Sequence, residues 1–123
     1  MKNMFDGVFK DKTVLVTGHT GFKGSWLSTW LNELGANVVG YALDPYRSKD
    51  NFVVTNLSEK MTDIRGDVRD FDKLSSVMEK YEPEIVFHLA AQPLVRLSYE
   101  EPRETYETNV MGTVNLLDAV RQV

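Results

Sequence analysis

Nine consecutive residues, Thr17-Gly18-His19-Thr20-Gly21-Phe22-Lys23-Gly24-Ser25, set three glycines at intervals of three directly after the apolar run Thr13-Val14-Leu15-Val16. Such a segment can hold an anion with backbone rather than side chains. Gly18 permits a sharp turn off a strand, Gly21 leaves the backbone bare where a diphosphate would approach, and Gly24 lets the following helix pack close to the sheet. The N–H groups and the positive end of that helix then face the anion. The other common phosphate loop, G-x-x-x-x-G-K-[ST], fails on order, because Lys23 precedes Gly24 and position 19, five before Gly24, is histidine. Asp44 follows the next apolar run, twenty residues after Gly24. A carboxylate there accepts hydrogen bonds from the adenosine ribose and repels a 2′-phosphate, so NAD is expected over NADP. Arg47, close by in sequence, is the cation that would relax this preference if it turned toward the ribose.

Other chemistries find few residues. The chain has no cysteine and two histidines, His19 and His88, so disulfides, thiolate metal sites and a histidine metal site are not expected. A formal net charge of −4 argues against a general nucleic-acid binder. No stretch approaches the ~20 apolar residues of a membrane span, and residues 1–10 lack the apolar run of a signal peptide. A cytoplasmic protein without a membrane partner is expected.

The elements that would position these residues alternate. Strands are expected over 13–16, 37–43 and 85–89, with a weaker one over 61–65. Trp26, Leu27, Trp30, Leu31 and Leu34 recur at helical spacing over 22–34, with Gly35 where a helix end favours a left-handed residue. Residues 44–60 read as a loop with one or two helical turns over 52–57. Asp70 is a candidate N-cap for a helix bearing Phe71, Leu74, Val77, Met78 and Tyr81, which Pro83 prevents from continuing. Pro102 opens a final helix expected to bury Tyr106, Val110, Val114, Leu117 and Val120. Phe5, Val8 and Phe9 are expected to dock as a short lead-in. Four strand–helix alternations imply an α/β fold: a parallel Rossmann-like sheet in the order 3-2-1-4 with helices on both faces. The 123 residues suit one domain, a dinucleotide-binding one over 1–123. A sheet ending at its fourth strand leaves an open edge, so the chain is expected to be an incomplete piece of a longer protein.

Four motifs in order carry a family resemblance: Thr17 to Gly24 (TGxxGxxG), Gly66-Asp67-Val68-Arg69-Asp70, His88-Leu89-Ala90-Ala91-Gln92, and Tyr106 to Thr113. Together they resemble the extended short-chain dehydrogenases/reductases that act on nucleotide sugars. The runs from Gly18 to Leu27 and from His88 to Pro102 are most similar to the 4,6-dehydratase branch, with CDP-glucose as the implied substrate. That resemblance implies tightly held NAD, oxidation of the sugar at C4, loss of water across C5 and C6, and return of the hydride to C6. It places Phe22 and Lys23 along the pyrophosphate through their backbone, Asp67 at the adenine amino group with Val68 beside it, and Leu89, Ala90 and Ala91 along the ribose and phosphates. Thr108 and Asn109 would lie near the same channel, although Asn109 reads equally well as a buried tie between helix and strand. His88 reads as a hydrogen-bonded core histidine. Gln92, Arg96 and Ser98 are weaker candidates for facing the sugar nucleotide.

Catalysis in this family uses a tyrosine with a lysine four residues later, the lysine lowering the phenol pKa. Four places after Tyr41, Tyr46, Tyr81, Tyr99 and Tyr106 stand Pro45, Asp50, Ile85, Arg103 and Val110. No catalytic residue is therefore assigned, and neither the substrate domain nor turnover is expected of these residues alone. Two alternatives stay open: an epimerase or reductase of the same superfamily, and a non-catalytic NAD-binding module. The resemblance also implies a homodimer for the longer protein.

Overall fold

Strict alternation along short β-branched runs sends neighbouring side chains to opposite faces, and here both faces are covered. The computed structural model describes residues 3–123. Its strands β1 (Thr13–Thr17), β2 (Asn37–Ala42), β3 (Thr62–Arg65) and β4 (Ile85–His88) are all parallel, in the order β3-β2-β1-β4. Helix α1 (Phe22–Glu33) follows β1; the short α2 (Asn51–Val54) and a 3₁₀ turn (Leu57–Glu59) precede β3; α3 (Phe71–Tyr81) links β3 to β4. After β4 come α4 (Val95–Glu100), α5 (Pro102–Tyr106), a π-helical turn (Glu107–Met111) and α6 (Gly112–Arg121). On one face Val14, Val16 and Val38 pack with Leu31 and Ala36. On the other, Leu15, Val39 and Tyr41 pack with Leu74, Val77 and Met78 of α3 and Leu116 and Ala119 of α6. Each fully buried leucine is worth ~1.5–3 kcal/mol of transfer free energy.

The expected fold is observed, with boundaries moved by a residue or so: β1 runs on to Thr17, β2 stops at Ala42 and β4 at His88. Asp70 caps α3, its carboxylate accepting the Lys73 N–H at 3.1 Å. Gly35 takes the left-handed conformation, φ +88°. Helix α4 was not foreseen.

Two expected buried faces are corrected. In α1 the covered residues are Gly24, Ser25, Ser28 and Leu31, with Leu34 at the C-cap, while Trp26 (55% exposed) and Trp30 lie outside. The helix approaches the turn before it too closely for an indole to fit between. Trp30 instead packs on Phe5, ring centroids 5.8 Å apart. The lead-in docks through Phe5 and Phe9, the latter against Phe87; Val8 stays about half exposed.

The final helix is the second correction. Tyr106, Val110, Val114, Leu117 and Val120 are all exposed, and Gly112, Leu116 and Ala119 are buried. The π turn shifts the helical phase before α6 begins. Close packing then selects small residues: a Cβ on Gly112 would meet Val68 Cγ2 at 2.6 Å. Asn115 Nδ2 also donates to the Val68 carbonyl at 2.9 Å, fixing that face inward.

Candidate functional site

The glycine turn leaves the C-terminal end of β1, beside β4, where the strand order reverses; in open α/β sheets ligands bind at such a switch point. Gly18 has φ +79°, and a Cβ there would sit 2.8 Å from the Ala90 nitrogen. Gly24 is buried against the turn itself: a Cβ would collide with the Gly18 carbonyl and His19 Cα. Its smallness therefore serves helix-to-turn contact, not the helix-to-sheet contact expected from the sequence. Gly21 differs. It is exposed, it is the N-cap of α1, and a Cβ there would meet just the Gly18 oxygen, at 3.4 Å. No side chain caps this helix end, and Phe22 and Lys23 are exposed beside it. The first-turn N–H groups thus line an open, side-chain-free approach.

Asp44 lies beside this approach. Thr20 Oγ1 donates to the Leu43 carbonyl at 2.8 Å, tying the turn to the residue before Asp44. Gly18 N–H donates to the Tyr41 carbonyl at 3.0 Å, and Asn51 Nδ2 to Ser25 Oγ at 2.9 Å. The Asp44 carboxylate is exposed and takes one hydrogen bond from Arg65 Nη1, at 2.6 Å. Arg47 instead pairs with Asp50 (Nε to Oδ1, 3.3 Å).

Beneath the turn, His19 is fully buried. Its Nε2 lies 2.6 Å from Asp63 Oδ1, and its ring stands over Gly40, which faces Asp63 in the sheet register. A side chain at position 40 would collide with that ring. Burial lowers the His19 pKa, and with a carboxylate as its partner Nε2 is the donor. Burial alone would raise the Asp63 pKa, but hydrogen bonds from Arg65 and His19 bring it below the usual carboxylate range.

A second network joins the turn to the end of β4. Thr17 Oγ1 accepts the N–H groups of Leu89 (3.0 Å) and Ala90 (3.1 Å) and lies 2.6 Å from His88 Nδ1. With both lone pairs engaged, the hydroxyl must donate to Nδ1. His88 Nε2–H then donates to Thr113 Oγ1 (3.2 Å), whose hydroxyl donates to the Asn109 carbonyl (2.7 Å). Every member is satisfied with His88 neutral, and burial lowers its pKa accordingly. His88 is thus the hydrogen-bonded histidine expected.

The remaining residues divide. Leu89 and Ala90 are half-buried beside Gly18, and Ala91 is exposed. Asp67 follows β3; its backbone carbonyl accepts the Tyr41 hydroxyl at 2.7 Å, and its carboxylate is held by Arg69, whose hydrogen bond lowers its pKa. Val68 is a core residue, so it has a carbonyl but no free side chain to offer. Asn109 is a tie: its Oδ1 accepts Gln92 N–H at 2.7 Å and its Nδ2 donates to the Gln92 carbonyl at 3.1 Å. Thr108 stands half-buried beside it. Gln92 is itself buried, bonded to Leu94 and Thr105, while Arg96 is exposed. The Thr17–His88–Thr113 network and the Asp63–Arg65 pair were missed in the sequence. The second had a signal: positions 63 and 65 of a strand share one face. Among the described residues no group of three or more potential metal ligands occurs, and no helix is long and apolar enough to cross a membrane.

The chain has relatives among known proteins. The sequence model of the family described as GDP-mannose 4,6 dehydratase matches residues 15–123. A CDP-glucose 4,6-dehydratase of Salmonella typhimurium is 59% identical over 122 residues, covering 99% of this chain and 33% of that protein. A UDP-glucose 4-epimerase of Mycolicibacterium smegmatis is 39% identical over 109 residues, 87% of this chain and 34% of its own length. Among solved structures, the UDP-glucose 4-epimerase of Brucella ovis in complex with NAD is similar with a TM-score of 0.75 and 37% identity, over 90% of this chain and 32% of that one. The chain thus spans about a third of the length of the relatives it matches.

Proposed function

This chain belongs to the GDP-mannose 4,6 dehydratase family, and from that premise we propose that it forms the NAD-binding part, over 1–123, of a nucleotide-sugar 4,6-dehydratase acting on CDP-glucose. The observation that carries the reading is the juxtaposition of an uncapped, side-chain-free helix start at Gly21 with the exposed carboxylate of Asp44, linked through Thr20 and Leu43. The residues fit the cofactor. First-turn N–H groups from Phe22 to Gly24 would hold the diphosphate. Asp44 would accept the ribose hydroxyls, and the backbone of Leu89 to Ala91, braced by Thr17, would line the channel. Asp67 would reach adenine by sharing its carboxylate with Arg69. Thr108 and Asn109 would border the channel, Asn109 chiefly by fixing Gln92.

NAD, when bound, would supply the acceptor and donor of hydride for the sugar. The chain's own part is to bind and orient, since no tyrosine here has a lysine four residues later. Identity of 59% to a CDP-glucose 4,6-dehydratase supports the substrate. Similarity to UDP-glucose 4-epimerases keeps epimerisation as the second reading. The two part on products. The full-length protein incubated with CDP-glucose is expected to release a nucleotide sugar lighter by one water; an isomer of unchanged mass would exclude dehydration. The cofactor claim is checked by calorimetry: NAD binding is expected, and Asp44→Asn should weaken it ~10-fold, the worth of one charge-assisted hydrogen bond. An Asp44→Asn protein that binds NAD as tightly as wild type would refute the role given to that carboxylate.

A further inference from the structure

The C-terminal end of β3 holds an arginine to which the proposed NAD site gives no role. Nε and Nη2 of Arg65 donate to the two oxygens of Asp63, both at 3.0 Å, and Nη1 donates to Asp44 at 2.6 Å. The guanidinium also lies 5.2 Å over the centroid of the buried Phe52 ring. The two carboxylates are held very differently. Asp63 is 16% exposed and takes a further hydrogen bond from His19, under the glycine turn. Asp44 is 82% exposed at a loop. Arg65 is therefore fixed from behind and occupied from in front by a carboxylate that can leave.

We propose that Arg65 is a built-in 2′-phosphate recognition group kept out of use by Asp44, so that Asp44 sets cofactor preference by covering Arg65 as well as by accepting ribose hydroxyls. The proposal rests on reading the glycine turn as a dinucleotide site. Charge decides the preference. Asp44, Asp63 and Arg65 together carry one net negative charge, and a 2′-phosphate would add a second anion against a displaced Asp44. With Asp44 made neutral, Asp63 and Arg65 sum to zero, and Nη1 becomes a charge-assisted donor for a phosphate oxygen. Since Asp63 and Phe52 already hold the side chain, little rotamer freedom remains to be lost on binding. Arg47, the cation that sequence order brings nearest, lacks such anchoring: it is 80% exposed and engaged with Asp50.

The test measures dissociation constants for NAD and NADP on the full-length protein and its Asp44→Ser, Asp44→Ser/Arg65→Gln and Asp44→Ser/Arg47→Gln variants, with circular dichroism as the check of folding. Wild type is expected to favour NAD. Asp44→Ser should tighten NADP ~10- to 100-fold. Adding Arg65→Gln should abolish the gain, and adding Arg47→Gln should preserve it. Should the Arg65→Gln protein unfold, Arg65→Lys replaces it: an undiminished gain with lysine overturns the proposal and a reduced gain supports it. The proposal also fails if Asp44→Ser gains nothing for NADP, if the gain survives loss of Arg65, or if it vanishes with Arg47. A wild-type protein that binds neither dinucleotide would instead overturn the underlying site reading, and one that favours NADP would overturn both the role of Asp44 and the proposal.

Discussion

A methyl group added at Gly21 and one added at Gly24 have opposite consequences. At Gly24 it collides with the rigid backbone of Gly18 and His19, so Gly24→Ala is expected to cost ~1–3 kcal/mol in denaturant unfolding. At Gly21 it meets only the Gly18 oxygen, at 3.4 Å, and φ is −79°, so Gly21→Ala should change stability by no more than ~0.5 kcal/mol. Yet the same methyl stands where a diphosphate would approach, so Gly21→Ala should weaken NAD binding while the fold persists. Unaltered NAD affinity in folded Gly21→Ala would argue against the cradle. The histidines supply a pH prediction. Burial depresses the pKa of both His19 and His88, so the folded state binds fewer protons than the unfolded one. Their contribution is fully present above the ordinary histidine pKa of ~6.5 and declines as pH falls below it. Urea unfolding at a series of pH values is expected to show stability decreasing from neutral pH toward pH ~5, less steeply in His88→Gln.

At the scale of elements, β1 and β4 are joined by more than their ladder. The Thr17 hydroxyl holds two N–H groups at the β4 end and orients His88 toward the final helical segment. Thr17→Val would keep the shape and leave the Ala90 N–H without its acceptor, at ~1–3 kcal/mol, while the Leu89 N–H keeps the Thr17 backbone carbonyl at 3.1 Å. Denaturant unfolding should show that loss, and hydrogen exchange should be faster at Ala90 than in wild type, with Leu89 less affected; unchanged protection at Ala90 would mean the hydroxyl is dispensable. Asn109 clamps the main chain at Gln92 from the π turn and thereby shapes the loop after β4. The backbone of Leu89 and Ala90 at the start of that loop lies against Gly18, so the π turn helps position the chain beside the glycine turn.

For the whole molecule, the outer face of the final helical segment is the conspicuous feature. Leu117 (63% exposed), Val120 and Val114 lie on α6, and a hollow bordered by Leu117, Val120, Val86 and His88 runs beside the unpaired edge of β4. Contiguous apolar surface beside an open strand edge promotes association. The 123-residue chain expressed alone is expected to self-associate in sedimentation velocity, and Leu117→Lys with Val120→Lys to reduce it; a monomer at tens of micromolar would show that this face is harmless. Charge of −4 and an ordinary composition say nothing of this surface, because a helix in the linear chain has no fixed partner.

Much of the architecture could be read from the chain alone. The 3-2-1-4 order is expected from the Rossmann-like alternation of elements, while strand positions, the Asp70 cap and the glycine turn follow from local rules, alternation and short-range turn geometry. Each depends on near neighbours in sequence, which the sequence displays directly. What tertiary structure alone decided was which side of a helix faces inward and which charges meet. Trp26 and Trp30 formed as good an apolar stripe as any, yet the close approach at Gly24 forced them outward. One π turn rotated the buried face of α6 away from Leu117. Arg65 met Asp44, twenty-one positions away, because parallel pairing of β2 and β3 brings their C-terminal ends together. Helical phase and inter-strand proximity are set by the sum of many contacts, so no single spacing in the sequence encodes them.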